Sequence, residues 1–305
     1  MNKFINLQKS VQDAVAANHP VVALESTLIT HGLPYPQNRD TAVGMENEVR
    51  RSGALPATIC MLAGTIQVGL DDVQMETLAT VKNPVKISRR DIAAALVAKQ
   101  NGGTTVSGTM EIAYQSGIRV FATGGIGGVH RGNLQDVSAD LPTLSQIPMV
   151  VVCAGAKAIL DLPATREYLE TAGIPVIGYQ THDFPAFYST SSGLPVDYRC
   201  DSPAEIAQIA KTQWEFGLKA TILVTVPPPA DLAIPSEEIE GTILNAVKEA
   251  EQKGIRGAKV TPFLLAKVSE MSHERSMVTN IALLKNNAYV AGLIAEELAR
   301  ITGKS

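Results

Sequence analysis

Apolar and polar positions along the chain alternate between two periods. Val21-Val22-Ala23-Leu24 is a short continuous apolar run, and further runs at 58–62, 65–69, 85–88, 104–106, 119–122, 175–178 and 221–226 read as strands. Between them, spacings of three and four predict helices over 38–52, 71–78, 91–99, 108–116 and 203–216. The stretch Val150-Val151-Val152-Cys153-Ala154-Gly155-Ala156-Lys157 reads as a buried strand that passes through a glycine turn into a helix reaching about 172. Ser236, followed by Glu237 and Glu238, is a candidate N-cap. Ile239, Ile243, Val247 and Ala250 line one face of the helix it would open. The last helix carries Ile281, Leu284, Ala288, Ala291, Ala295 and Leu298, a stripe of small residues that must pack closely against its own domain or a sister subunit.

This alternation predicts the α/β class, with a parallel or mixed central sheet and helices on both faces. No linker of low complexity and no fixed repeat divides the chain, so residues 1–305 read as a single domain. Ligands in such sheets gather at the carboxyl ends of strands. Glu25, Thr123 and Lys157 all fall at or just after a strand's last residue, the expected address of an active site.

Composition narrows the function. A net charge of −4 and 5% aromatic residues give no basis for binding a nucleic acid polymer. No apolar run is long enough to span a membrane, and the first residues lack an apolar signal core. Cys60, Cys153 and Cys200 have no metal-type spacing, and the first two lie in apolar runs. A protein of the reducing cytoplasm is expected.

Several residues could carry chemistry. Lys157 has almost no polar company; pointing inward, its ammonium would be disfavoured and its amine nucleophilic, whereas at a helix start it would simply face water. Glu25, if buried, is a candidate general acid; otherwise it is an exposed strand-end carboxylate. Thr123-Gly124-Gly125-Ile126-Gly127-Gly128-Val129-His130-Arg131-Gly132 reads either as a phosphate cradle with charge from His130 and Arg131 or as a mobile glycine loop. It matches neither the dinucleotide fingerprint nor a Walker loop. Asp136 and Asp140, with Ser138 between them, could bind a hard cation or sugar hydroxyls, although Ser138 could equally cap the turn at Asp140-Leu141-Pro142. Lys86-Ile87-Ser88-Arg89-Arg90 offers three cations to a phosphate or to water. The five histidines show no zinc spacing.

Taken together, these residues closely resemble pseudouridine-5′-phosphate glycosidases (indigoidine synthase A-like). The likeness rests on Ala23-Leu24-Glu25-Ser26-Thr27 with His31-Gly32, on 86–91, on 121–132 and on Ala154-Gly155-Ala156-Lys157. It extends to Gly178-Tyr179-Gln180-Thr181, 261–265 and 280–288, nearly the whole chain in order. The resemblance implies an α/β/α sandwich that works as a homotrimer. It implies reversible cleavage of pseudouridine 5′-phosphate to uracil and ribose 5-phosphate, with a divalent metal, typically Mn2+. On this chain the family's proton donor falls on Glu25, its nucleophile on Lys157 and its metal ligand on Asp136. Substrate contacts fall on Lys86, the backbone at Val106, Ser138, Ala139 and Asp140; Thr123, His130 and Asn280 are expected to line the pocket. The serine that often follows the nucleophile in this family is Ala158 here. The rival readings are another imine-forming lyase or aldolase on a phosphosugar, and a sensor that kept the fold without catalysis.

Overall fold

In the computed structural model, which describes residues 2–255, 260–272 and 274–303, a strand and a helix precede the run at 21–24. These are β1 (Ile5–Leu7) and α1 (Lys9–Ala16), followed by β2 (Val21–Leu24), α2 (Gln37–Arg51), β3 (Leu55–Leu62), β4 (Thr65–Val68) and α3 (Asp72–Thr80). Next come β5 (Val85–Ile87), α4 (Ile92–Val97), β6 (Gly102–Thr104), α5 (Val106–Gln115), β7 (Val120–Ala122), β8 (Val129–His130), β9 (Asn133–Val137) and α6 (Asp140–Leu144). The second half comprises β10 (Val150–Cys153), β11 (Leu160–Asp161), α7 (Leu162–Thr171), β12 (Val176–Tyr179), β13 (Tyr198–Cys200), α8 (Pro203–Glu215) and β14 (Ile222–Thr225). Three helices close it: α9 (Ser236–Gln252), α10 (Val260–Met271) and α11 (Arg275–Thr302).

Among the described residues, eleven strands form one mixed sheet in the order β1-β4-β3-β2-β7-β10-β14-β12-β13, with β6 also on β3 and β5 on β6. The run from the first half of β3 through β13 is parallel; β4 and β6 pair antiparallel to the second half of β3. β2, β7, β10 and β14 are buried along their whole lengths. A strand buried on both sides of its pleat needs cover on both faces, which is why these runs are continuously apolar. α11 packs on β2, β7 and β10 together with α2 and α8, while α5, backed by α6, packs on β2 and β3. The predicted α/β sandwich with a mixed sheet is the fold observed.

Some expectations change. The small-residue stripe of α11 is used within the chain: Ala288, Ala291 and Ala295 are buried among α2, α8 and the central strands, so it gives no support to a subunit interface. Lys157 does not open a helix. Asp161 caps α7 by accepting the N–H of Ala164 at 3.0 Å, and Pro163 occupies the first turn, so the helix starts only after β11. Lys157 instead stands on a turn between β10 and β11. The helix at 236 begins with Ser236 itself, its first carbonyl acceptor being Pro235. Val106 likewise opens α5 rather than ending a strand, behind a Thr105 cap. Among the described residues no helix is long and apolar enough to cross a membrane.

Candidate active site

Register builds the site. Leu24 pairs with Ala122, and Ala122 with Val152, so Glu25, Thr123 and Cys153 stand side by side at the carboxyl ends of three adjacent parallel strands. Glu25 is buried, and its two carboxylate oxygens accept the hydroxyls of Thr27 and Thr123. Thr123 is held in turn by Asn287 of α11, whose amide donates to its carbonyl at 2.8 Å and to that of Gly124 at 3.3 Å. Ser26 turns the other way: it donates to Ile59 O at 2.5 Å and accepts the N–H of Thr104 at 3.0 Å. A single π turn follows over Leu28–Gly32, pinned by the buried amide of Asn38 on Ile29 O. Such turns recur at functional sites, and this one delivers Leu28 and His31 to the pocket wall.

Beyond β7 and β10 the two chains stay zipped together. Thr123 N donates to Val152 O, Ala154 N to Gly124 O, Ile126 N to Gly155 O and Lys157 N to Ile126 O, all at 2.8–3.1 Å. The glycine run is therefore no mobile loop. Its residues 123–129 are buried, and a Cβ on Gly127 or Gly128 would collide with Ser138 or Thr165. Gly155 takes φ +83° where a Cβ would lie 2.2 Å from Pro185 O, and this left-handed turn aims Lys157 back over the strand ends.

The cavity so formed has a volume of about 400 Å³. Glu25, Lys86, Lys157 and Asn280 line it, joined by His31, Phe187, Tyr188 and Leu284. Lys157 is half-buried, and its charge is close enough to act on Lys86. Burial first, and then Lys157, holds the Lys86 ammonium below the usual lysine range, opposed by Glu25 and Asp140. His31 is held below its ordinary value by burial and then by Lys86, against a backbone bond to Pro84. Of the neighbouring cations, Arg89 is spent on Glu111 at 2.7 Å, and Arg90 lies 3.5 Å from Asp91, so Lys86 alone of the three reaches the cavity.

The other expected residues lie beside this cavity, not on its wall. Asp140 is buried and takes the N–H of Ser107 at 3.0 Å and that of Gly127 at 2.8 Å, fastening the first turn of α5 to the glycine run. Ser138 accepts the N–H of Asp140 at 3.2 Å, as the capping alternative predicts. Val106 is buried at the start of α5, Ala139 is exposed, and His130 lies on β8 opposite Leu160. Asp136 is an exposed carboxylate on β9. Among the described residues no three His, Cys, Asp or Glu side chains converge into a metal cage. With Asp140 committed to backbone, the donor set fits only a hydrated hard cation completed by water and substrate oxygens.

Phe187 and Tyr188 were missed by sequence reasoning. They sit on the long connection between β12 and β13, ring centroids 4.8 Å apart and edge to face. Phe187 takes φ +62°, a costly conformation for a bulky residue, with its N–H bonded to Ala154 O at 3.0 Å. A signal was available: in a chain with 5% aromatics, Phe184, Phe187 and Tyr188 fall within five residues. His273, among the histidines considered above, lies outside the described residues.

The chain is similar to known proteins along nearly its whole length. The family model for indigoidine synthase A like protein matches residues 10–297. A pseudouridine-5′-phosphate glycosidase of Caldanaerobacter subterraneus subsp. tengcongensis is 50% identical, covering 99% of each chain. One from Herpetosiphon aurantiacus is 51% identical over 98% of this chain and 99% of its own. Among solved structures, a prealnumycin C-glycosynthase in complex with ribulose 5-phosphate superposes with a TM-score of 0.92 at 38% identity, covering both chains fully. An indigoidine synthase A-like protein from Thermotoga maritima gives 0.90 at 36% identity, covering 97% of each chain.

Proposed function

The chain belongs to the indigoidine synthase A-like family, and from that premise we propose that it is a pseudouridine-5′-phosphate glycosidase. It cleaves the C–C glycosidic bond of pseudouridine 5′-phosphate reversibly, giving uracil and ribose 5-phosphate. The observation that carries this reading is the convergence of Glu25, Lys86 and Lys157 on one cavity, in a chain half identical to relatives bearing that name.

A C–C glycoside has no leaving oxygen to protonate, so the paired-carboxylate scheme of ordinary glycosidases does not suffice. Glu25 gives a proton to the ribose ring oxygen while the free amine of Lys157 bonds to C1′ and the C1′–O bond breaks. The amine then loses a proton. Its lone pair forms the imine as the bond from C1′ to uracil C5 breaks, and C5 takes up a proton as uracil leaves. Water hydrolyses the imine, returning the amine and releasing ribose 5-phosphate. Ribulose 5-phosphate, seen in the structural neighbour, has its 5-oxygen esterified and stays open-chain, so a pocket of this fold accepting it supports a ring-opened intermediate. Lys86 supplies charge to the phosphate. Asp136 would hold a hydrated divalent cation, Mn2+ by resemblance, and that ion would supply further positive charge near the phosphate. A homotrimer in the cytoplasm completes the proposal; three free, buried cysteines are in keeping with a reducing compartment.

The test is incubation with uracil, ribose 5-phosphate and Mn2+, followed by chromatography. Appearance of pseudouridine 5′-phosphate is expected. Its absence, with cleavage of other phosphosugars, would instead favour an aldolase or lyase. Borohydride with ribose 5-phosphate is expected to trap an adduct on the Lys157 peptide, and an unmodified peptide under turnover would remove the imine. Sedimentation at assay concentration tests the trimer.

A further inference from the structure

Arg131 looks from sequence like a phosphate ligand at the end of a glycine run. The structure commits it elsewhere. Its Nε donates to the carbonyl of Leu160 at 3.1 Å and one terminal nitrogen to that of Ala158 at 3.0 Å. The guanidinium also pairs with both oxygens of Glu240, on α9. The two carbonyls belong to the turn 157–160, which is closed by its own bond from Leu160 N to Lys157 O at 3.0 Å. Lys157 N, on the other side, donates to Ile126 O at 3.1 Å. One segment, 126–131, thus holds the backbone of Lys157 before and after the residue.

We propose that Arg131, oriented by Glu240, is a positioning residue that sets the aim of Lys157. This rests on the reading of Lys157 as the nucleophile. Lysine is a flexible chain of four carbons, and its reach to C1′ depends on where its Cα is fixed. A planar fork with several donors can hold two carbonyls and a carboxylate together; an ammonium on an unforked stem cannot. Glu240 balances the guanidinium charge, and neither residue lines the cavity wall. Arg131 thereby acts through Lys157 and does not touch substrate.

The test uses Arg131→Lys and Glu240→Gln in the full-length protein, with steady-state kinetics on pseudouridine 5′-phosphate and borohydride trapping on Lys157. Arg131→Lys keeps the charge and is expected to lower kcat and the trapping rate together by about tenfold or more, the equivalent of one lost hydrogen bond in the transition state. KM should stay within about twofold, since uniform binding is untouched. Glu240→Gln should shift kcat in the same direction by less. Unchanged kcat and trapping in Arg131→Lys would overturn the proposal, as would a rise in KM alone, which would put Arg131 on the phosphate. Should Arg131→Lys not fold, wild-type kcat in Glu240→Gln overturns it equally. A wild-type enzyme that turns over without any adduct removes the Lys157 reading itself, a failure distinct from normal trapping in the variants.

Discussion

Thr123 donates its hydroxyl to Glu25 across two parallel strands whose register sets the residues side by side, although they are 98 apart in sequence. A second hydroxyl, from Thr27, takes the other oxygen. The carboxyl is thereby fixed in direction as well as buried. Thr123→Val keeps the shape and removes one donor. As Glu25 gives up its proton it becomes a charged acceptor, and a hydrogen bond to a charged group contributes about 1.5–3 kcal/mol, so kcat is expected to fall roughly ten- to a hundredfold. A modest fall in melting temperature should accompany it, because a buried oxygen of Glu25 loses its donor, and a wild-type kcat would separate Thr123 from the aim of Glu25.

Lys86 gives the enzyme a pH dependence with a definite sign. Its folded pKa lies below the ordinary lysine value, through burial and then the charge of Lys157. Phosphate binding through the ammonium is therefore complete below that folded pKa and lost as pH rises through it, earlier than for a free lysine. Between the folded and unfolded values the unfolded chain binds more protons, so stability rises with pH across that window. Lys86→Met should raise KM for the phosphate substrate and raise the melting temperature at neutral pH. The stability advantage of the variant should shrink as pH climbs, which paired melting curves would read.

Asp136 is the one carboxylate proposed to hold a cation. Asp136→Asn should raise the Mn2+ concentration needed for half-maximal activity by an order of magnitude or so, as removal of one ligand from a mostly hydrated ion implies. Treating the wild type with EDTA should lower activity and added Mn2+ restore it. Insensitivity of both proteins to EDTA would remove the metal from this account.

Gly155 is the hinge of the Lys157 segment. Alanine there meets an unfavourable left-handed backbone, worth about 1–2 kcal/mol, in addition to a clash with Pro185 O. Gly155→Ala should lower the melting temperature clearly and abolish turnover even where the protein stays folded. Wild-type turnover would show that the turn tolerates another path.

The cysteines should be silent. Burial pushes the thiols of Cys60 and Cys153 up to about 12, and both are fully buried. Iodoacetamide at neutral pH should leave both unmodified in the native protein and label them after unfolding, as mass spectrometry of peptides would record. Labelling of native Cys153, four residues before Lys157, would mean that β10 opens.

The sequence by itself determined most of the frame. Continuous apolar runs marked β2, β7, β10 and β14, because strands covered on both faces have no polar side to show. The strand-end rule picked out Glu25, Thr123 and Lys157 before any contact was known. Even the late start of α7 was readable, since Asp161 and Pro163 are local signals of a helix beginning there. What the sequence left open were choices made between distant segments. Whether the glycine run is loose or packed depends on Ser138 and Thr165. Whether Arg131 meets a phosphate or the turn after Lys157 depends on how β8 and β11 pair. Whether the α11 stripe meets a neighbour or its own sheet depends on α2 and α8. Propensity is written in residues a few positions apart, whereas register and packing are settled only when all segments compete for the same buried surface. The tertiary structure alone therefore decided that a carboxyl from β2 and an amine from beyond β10 share one cavity.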